Sequence, residues 1–431
     1  MPVRAMARVN LAAIERNCRR LRRELGSSAP SGPSPDAGAD SAPGAIAGAA
    51  TPTLCAVVKA DGYGHGAAPA ARAALAGGAT SLAVAAAEEA AALRAAGIDA
   101  PVLVMGALTP EEVEIAIAAG AGIVASREAL VAMLGRLAGH RAGGASGNPS
   151  GPAVGVHVKL DTGMGRLGTR DADEALRVAD AVAAAPGLTL AGAMTHFATA
   201  DERENSFFAE QMDRFIPWVA RVRERHDGVI VHAANSAATL RTAAAHFDMV
   251  RCGVGIYGLD PFGEDPVLRD LEPALELRSW VADVKPVAPG ESAGYGRRFV
   301  AERATNLAVL PIGYGDGWRR ALTNNADVLI RGRRYPLVGT VSMDNITVDV
   351  GPDPDVQPGD EATLIGASGG ERITTEEVAR RLGTINYEVT CALLPRVPRV
   401  YHRDGEPAQP GDQAALRAST SAREPKEPAG R

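Results

Sequence analysis

Short apolar segments recur at intervals through the first part of the chain, most of them followed by a helical pattern. They are Leu54–Val58, Ser81–Ala85, Val102–Met105, Gly122–Ala125, Gly155–Leu160, Leu188–Met194, Val229–Ala233 and Met249–Gly253. Helical segments such as Pro110–Ala119, Asp171–Ala185 and Asn205–Arg225 separate many of them. Eight strand–helix units in succession predict an α/β architecture, a parallel (β/α)8 TIM barrel. An open doubly wound sheet is the alternative, because periodicity does not separate the two. After about Pro273 the pattern changes to Val, Ile and Thr runs between turns, with few helices. The runs are Leu277–Val287, Leu307–Pro311, Asp327–Ile330, Tyr335–Val341, Ile346–Val350 and Glu361–Ile365, and they predict a mainly β C-terminal domain.

The expected organisation is a barrel domain over 1–272, a β-rich domain over 273–402 and a tail over 403–431. Residues 10–25 read as a helix capped by Asn10, with Leu11, Ile14, Cys18, Leu21 and Leu25 at helical spacing. Residues 26–52 are rich in Ser, Pro, Gly and Ala and read as a disordered insertion. The Gly/Ser/Pro patch over about 139–152 and the polar, Pro-rich tail from Arg403 read the same way.

Composition argues against some functions. A net charge of -6 and no long basic run argue against a nucleic-acid partner. Met1–Asn10 lacks the apolar core of a signal peptide. Glu88, Glu89 and Arg94 interrupt the Ala-rich stretch 83–96, which therefore predicts an amphipathic helix and no membrane span. Cys18, Cys55, Cys252 and Cys391 show no paired spacing, so no metal site is expected and a reduced cytoplasmic setting is the simplest account.

The chemistry concentrates in Ala56–Gly66, Ala-Val-Val-Lys-Ala-Asp-Gly-Tyr-Gly-His-Gly. A strand delivers Lys59 to a glycine-rich open turn that carries Tyr63. The chain holds only four lysines, Lys59, Lys159, Lys285 and Lys426, among 45 lysines and arginines combined. Arginine cannot form a Schiff base, so an amine kept at a strand end is a candidate for one. Further strand ends carry Lys159 and Arg166 in His157–Gly168, then His196, and then His232, Asn235 and Ser236. Arg251, Gly253 and Val254 follow. An arginine on a glycine-shaped loop can clamp a carboxylate bidentately. Glycine backbone near a helix start suits a phosphate. Lys159 beside Arg166 would be repelled, and burial would lower its pKa.

These motifs, in this order, resemble the alanine racemase family over roughly residues 4–402. The resemblance implies a homodimeric pyridoxal 5′-phosphate enzyme interconverting L- and D-alanine by a two-base mechanism, and so supplying D-alanine for peptidoglycan. It implies that Lys59 holds the cofactor as a Schiff base and serves as one base. Tyr295, in Ser292–Gly296, would be the other, with its phenol assisted by His196 or Arg251. Tyr63, His196, Asn235, Ser236, Arg251, Gly253, Val254 and Tyr387 would contact the cofactor. Arg251, held by His232, would face the pyridine nitrogen, keep it neutral and suppress transamination. Arg166, Met343 and Asp344 would bind substrate. Tyr295 and Met343 would complete the site of the other subunit. The resemblance also implies a carbamylated Lys159, an entrance residue at Arg320, and Arg4–Val9 as an extra strand of the second domain. Thr340 departs from the arginine that many relatives carry in the entrance. A barrel-type decarboxylase would share Lys59 but should lack the Tyr295 base. A non-catalytic cofactor carrier would be a lone barrel. A racemase acting on serine or another small amino acid would share every motif.

Overall fold

The computed structural model describes residues 3–26, 51–142, 153–352 and 355–408. The chain divides into two compact units. One comprises Glu15–Gly62 and Ala74–Ile256, the other Met1–Ile14, Tyr63–Ala73 and Tyr257–Arg431.

The chain opens on strand β1, Met6–Asn10. Eight parallel strands then build the first unit: β2 Thr53–Val57, β3 Ser81–Val84, β4 Val102–Val104, β5 Gly122–Ala125, β6 Val154–Lys159, β7 Leu188–Met194, β8 Ile230–His232 and β9 Met249–Cys252. Their order is β8-β7-β6-β5-β4-β3-β2-β9, as the alternating sequence pattern predicts for a barrel. No ladder joins β8 to β9, but the seam is bridged. Asp248 N–H donates to Val231 O at 3.0 Å, and Arg251 N–H donates to Ala234 O at 2.9 Å. The Asp248 carboxylate also accepts the Val231 N–H at 2.7 Å.

The second unit is built on an eleven-stranded sheet. β1 lies in it, antiparallel to Leu275–Trp280 and parallel to Arg399–Arg403, which gives the N-terminal strand the expected place. The run Leu277–Val287 is two strands, not one: Leu275–Trp280 and Asp283–Val287. The first pairs with Glu361–Ser368 and the second with Thr305–Leu310, so the chain changes partner at Val281–Ala282. Two helices that the β-pattern hid, Thr375–Leu382 and Asn386–Cys391, also belong here.

The low-complexity readings need correction at their edges. Residues 27–50, 143–152 and 409–431 lie outside the described residues. Helix Glu128–Ala142 continues through 139–142, past the helix-weakening Gly135 and Gly139 that made the pattern look finished. Arg403 does not begin an unstructured tail. His402–Arg403 pairs with Glu406–Pro407 around Asp404 and Gly405, both at positive φ, the turn that an Asp-Gly pair favours.

That hairpin is fastened to the start of the chain. Asn10 Oδ1 accepts the Ala12 N–H at 3.1 Å, capping helix Leu11–Gly26, and also the Asp404 N–H at 3.2 Å. Its Nδ2 donates to Asp404 Oδ1 at 3.0 Å. Asn10→Ala removes a cap and a cross-link together. We expect a loss of about 2 kcal/mol, read as a lower urea midpoint with an unchanged slope. An unshifted midpoint would contradict this role.

Candidate active site

The peptide after β2 is a left-handed turn, tighter than the open loop that three glycines suggest. Lys59 starts it, and Ala60, Asp61 and Gly62 follow at φ 53°, 52° and 62°. Left-handed backbone costs a residue with a side chain roughly 1–2 kcal/mol, so Ala60 and Asp61 need local compensation. Gly62 N–H donates to Val58 O at 2.9 Å. Glu89 Oε1 accepts the Ala60 N–H at 2.6 Å, while its Oε2 accepts from Ala85 and Ala86 at 2.8 and 3.1 Å. Glu89 thus anchors the lysine turn from the start of the helix Ala87–Ala95.

Arg251, on β9, is buried under the C-terminal ends of β7 and β8. Its NH1 donates to His232 Nδ1 at 2.8 Å and His232 O at 3.0 Å. Its NH2 reaches Thr195 O at 2.9 Å, Ala233 O at 3.1 Å and His196 Nδ1 at 3.1 Å. The Nε–H has no partner among the described residues. Burial lowers the guanidinium pKa to about 10, so it stays charged at neutral pH.

The bonds fix the imidazole tautomers. His232 Nδ1 accepts from arginine, so its Nε2 carries the proton and donates to His157 Nδ1 at 2.8 Å. His157 therefore carries its own proton on Nε2. Burial first, and the charge of Arg251 second, lower the His157 pKa to about 4 and hold His232 well below the usual range. Desolvation also depresses His196 strongly, reinforced by Arg251, Arg166, Lys159 and Lys59, all positive and all close enough to act on it.

Lys159 ends β6 and is buried, and it forms no hydrogen bond or ion pair with the described residues. Burial, then Arg166 and Arg251, lower its pKa to about 8, with Asp161 opposing. The exposed Arg166 rides the following loop and is likewise unpaired among the described residues. Asp161 shapes that loop. It accepts N–H groups of Gly163 and Gly165 at 3.1 and 3.0 Å and the Arg170 Nε–H at 3.2 Å. Burial pushes its carboxyl pKa up, but these bonds outweigh burial and lower it. Buried Gln211 ties the loop to the end of β7 through Thr162 Oγ1, at 3.0 Å, and His196 O, at 3.1 Å.

Asn235 caps the short helix Ser236–Arg241 through a 2.9 Å bond from Ala238 N–H. The helix cap is thus Asn235, and Ser236 is released for another task. Its Oγ collects the Gly253 and Gly255 N–H groups at 3.1 and 3.2 Å, just where Val254 begins a 3-10 turn.

In the other unit Tyr63 lies between two tyrosines. Its ring centroid is 5.2 Å from Tyr257 and 6.0 Å from Tyr387. Gly64 must stay glycine here, because a Cβ would stand 2.2 Å from Thr390 O. Tyr295 is 73% exposed and Met343 is 52% exposed. Buried Thr340 donates its Oγ1 hydroxyl to Tyr295 O at 2.6 Å, so this departing residue braces the tyrosine's backbone. Asp344 is paired with Arg396 at 2.8 Å, and Arg396 also grips buried Asp316 through Nε at 2.8 Å. Met343 O accepts the Gly315 N–H at 2.9 Å. Arg320 is exposed and begins a 3-10 turn.

Each predicted site residue thus lies in one unit or the other. Lys59, Lys159, Arg166, His196, Asn235, Ser236, Arg251, Gly253 and Val254 share the barrel unit, and Tyr63, Tyr295, Met343, Asp344 and Tyr387 share the β-rich unit. Sequence reasoning missed Glu89, His157 and Gln211. His157 alone carried a signal, standing two residues before Lys159 and hence on the same face of β6.

The fold is an α/β barrel whose strand ends gather lysine and arginine around neutral histidines. Comparison narrows this. Residues 45–261 match the family description "Alanine racemase, N-terminal domain" and residues 274–401 match "Alanine racemase, C-terminal domain". An alanine racemase of Halalkalibacterium halodurans is 43% identical over 358 residues, covering 82% of this chain and 89% of its own. A crystal structure of alanine racemase from Bacillus anthracis with bound L-Ala-P superposes with a TM-score of 0.80 at 35% identity, covering 95% of this chain and 97% of that one. Another, from Streptomyces lavendulae, gives 0.82 at 34% identity, covering 93% and 98%. The chain belongs to the alanine racemase family.

The tautomers and charges are testable. At pH 7 side-chain 1H–15N correlation should show His157 and His232 as neutral Nε2–H forms, with His157 gaining charge only near pH 4. Folding lowers both pKa values, so between about 6.5 and 4 the unfolded chain binds more protons and stability falls as pH drops. Protonation of either ring above pH 6 would contradict the buried-cation network.

Proposed function

We propose that this chain is a pyridoxal 5′-phosphate-dependent alanine racemase, an isomerase that interconverts L- and D-alanine. The observation that carries this reading is the positive floor around His196, formed by Arg251, Arg166, Lys159 and Lys59. It suits a doubly anionic demand, a cofactor phosphate and a substrate carboxylate.

The residues fit the cofactor. Lys59 offers an amine on a rigid turn. Arg251 presents an Nε–H with no acceptor among the described residues. Ser236, Gly253 and Val254 form the proposed phosphate corner, where Ser236 Oγ gathers the Gly253 and Gly255 N–H groups. Tyr63, His196, Asn235 and Tyr387 complete the proposed cofactor set. Bound there, pyridoxal phosphate would supply an aldehyde that condenses with amines and a ring that draws electron density from the substrate α-carbon.

The side chains do the rest. Arg166 clamps the carboxylate, aided by the Met343 and Asp344 loop. Lys59 Nζ takes or returns the α-proton on one face, and the Tyr295 hydroxyl does so on the other. Arg251, charged at neutral pH, would offer the cofactor's ring nitrogen a hydrogen bond but no proton. Electron withdrawal is thereby limited, which favours return of the α-proton over transamination. The high exposure of Tyr295 and Met343 supports their service to the site of a second copy, so the working state is a homodimer. Lys159, at a pKa of about 8, is partly neutral near physiological pH. Its amine can add to carbon dioxide, forming a C–N bond and releasing one proton. The resulting carbamate would pair with Arg166. Among the described residues no helix is long and apolar enough to cross a membrane, and all four cysteines are free. These features suit a cytoplasmic enzyme making D-alanine for peptidoglycan. We place its functional boundary near Pro273, between a barrel domain and a β-rich domain.

The roles separate in deuterated water. Lys59→Ala should abolish both α-proton exchange and racemisation. Tyr295→Phe should slow racemisation by about 10²–10⁴-fold while exchange persists for one enantiomer. Equal exchange of both enantiomers in Tyr295→Phe would reject the two-base assignment.

A further inference from the structure

Among the described residues, the end of the barrel opposite Lys59 is not filled. A cavity of about 1020 Å³ enters there, and the first residues of β2, β3, β4, β5, β6, β8 and β9 all line it. Parallel barrels ordinarily fill this level with branched side chains. Here three adjacent strands carry Gly122, Gly155 and Ala191, and each lines the void. A Cβ on Gly122 would meet nothing closer than 3.4 Å, so a side chain can be added there without a clash at Cβ.

His157 forms part of the inner wall. Its ring edge lies 3.7 Å from where a Gly122 Cβ would stand. The side chain is buried, with 9% of its surface exposed, and the tautomer derived above leaves a proton on Nε2. That Nε2–H has no partner among the described residues. The nitrogen keeps some accessible surface, so an oxygen of a ligand or water that enters the cavity can accept from it. Among the described residues, no Asp, Glu, Lys or Arg lines the cavity. A charged guest, an amino acid included, would enter unpaired and is disfavoured. Leu103, Ile117, Met249 and Ile230 supply apolar walls, and Ile230 is 41% exposed.

We propose that this cavity binds a neutral, largely apolar small molecule through one hydrogen-bond acceptor, a carbonyl or phenolic oxygen, placed on His157 Nε2–H. Its size suits a guest as large as common cofactors and drugs. Donation from Nε2–H makes His157 Nδ1 a better acceptor for His232, which in turn holds Arg251 more firmly. The site is independent of the racemase reading and is reached from the opposite end of the barrel.

The test uses the full chain loaded with pyridoxal phosphate and labelled with 15N-histidine. Acetophenone is the probe, and ethylbenzene is its counterpart without an acceptor. We expect saturation transfer to both, a dissociation constant on the order of 1 mM for acetophenone, and a shift of the His157 Nε2–H resonance with acetophenone alone. Gly122→Leu and, as a second filled variant, Ala191→Leu should each weaken binding at least tenfold. Absence of saturation transfer to acetophenone overturns the proposal. So does binding that survives in a folded filled variant, or that leaves the His157 resonance unmoved.

Discussion

A guanidinium buried beneath the strand ends organises the barrel's working face. Arg251 is charged at neutral pH, and a buried charge is tolerated only with several polar partners. It finds three main-chain carbonyls, of Thr195, His232 and Ala233, and two imidazole nitrogens. These partners lie at the ends of β7 and β8, while Arg251 N–H closes the seam onto Ala234 O. One residue thus helps shut the barrel and sets the electrostatics of its mouth. The histidines must accept from it, so they stay neutral, and the proton order runs outward to His157.

The same cation explains why negative ligands belong here. Lys159 and Arg166 lack ion-pair partners among the described residues, and Asp161, the nearest counter-charge on the loop, spends its oxygens on Gly163, Gly165 and Arg170. Uncompensated positive charge in a partly dry site raises the affinity for carboxylate and phosphate and depresses the pKa of any amine nearby. The left-handed turn after Lys59 has a complementary role. Its strain persists because Glu89 and Val58 O hold it, and it fixes the backbone from which the Lys59 side chain departs.

Much of this was legible in the sequence, for a physical reason. Strand starts and stops are local, so all eight barrel strands were found within a few residues, whereas the β1 strand was expected only from the family resemblance. Leu277–Val287 was misjoined because both halves mix apolar and polar residues with no turn signal at Val281–Ala282, and only their different partners divide them. The Asp404-Gly405 turn had a recognisable signature that the polar, Pro-rich surroundings masked. The missed site residues act over distance. His157 meets His232 75 positions away, Ala60 meets Glu89 29 away, and Gln211 meets Thr162 49 away. No local pattern encodes such pairings. The brace from Thr340 to Tyr295 O was likewise invisible, although the unusual residue itself stood out.

The most direct test of the account is a chiral time course with the full chain and pyridoxal phosphate, started separately from L-alanine and from D-alanine. The two enantiomers have equal free energies, so both runs should converge on an equal mixture without release of carbon dioxide or formation of pyruvate. An unchanged enantiomer from folded, cofactor-loaded protein would contradict the assignment. Decarboxylation or transamination as the dominant outcome would contradict the role given to Arg251.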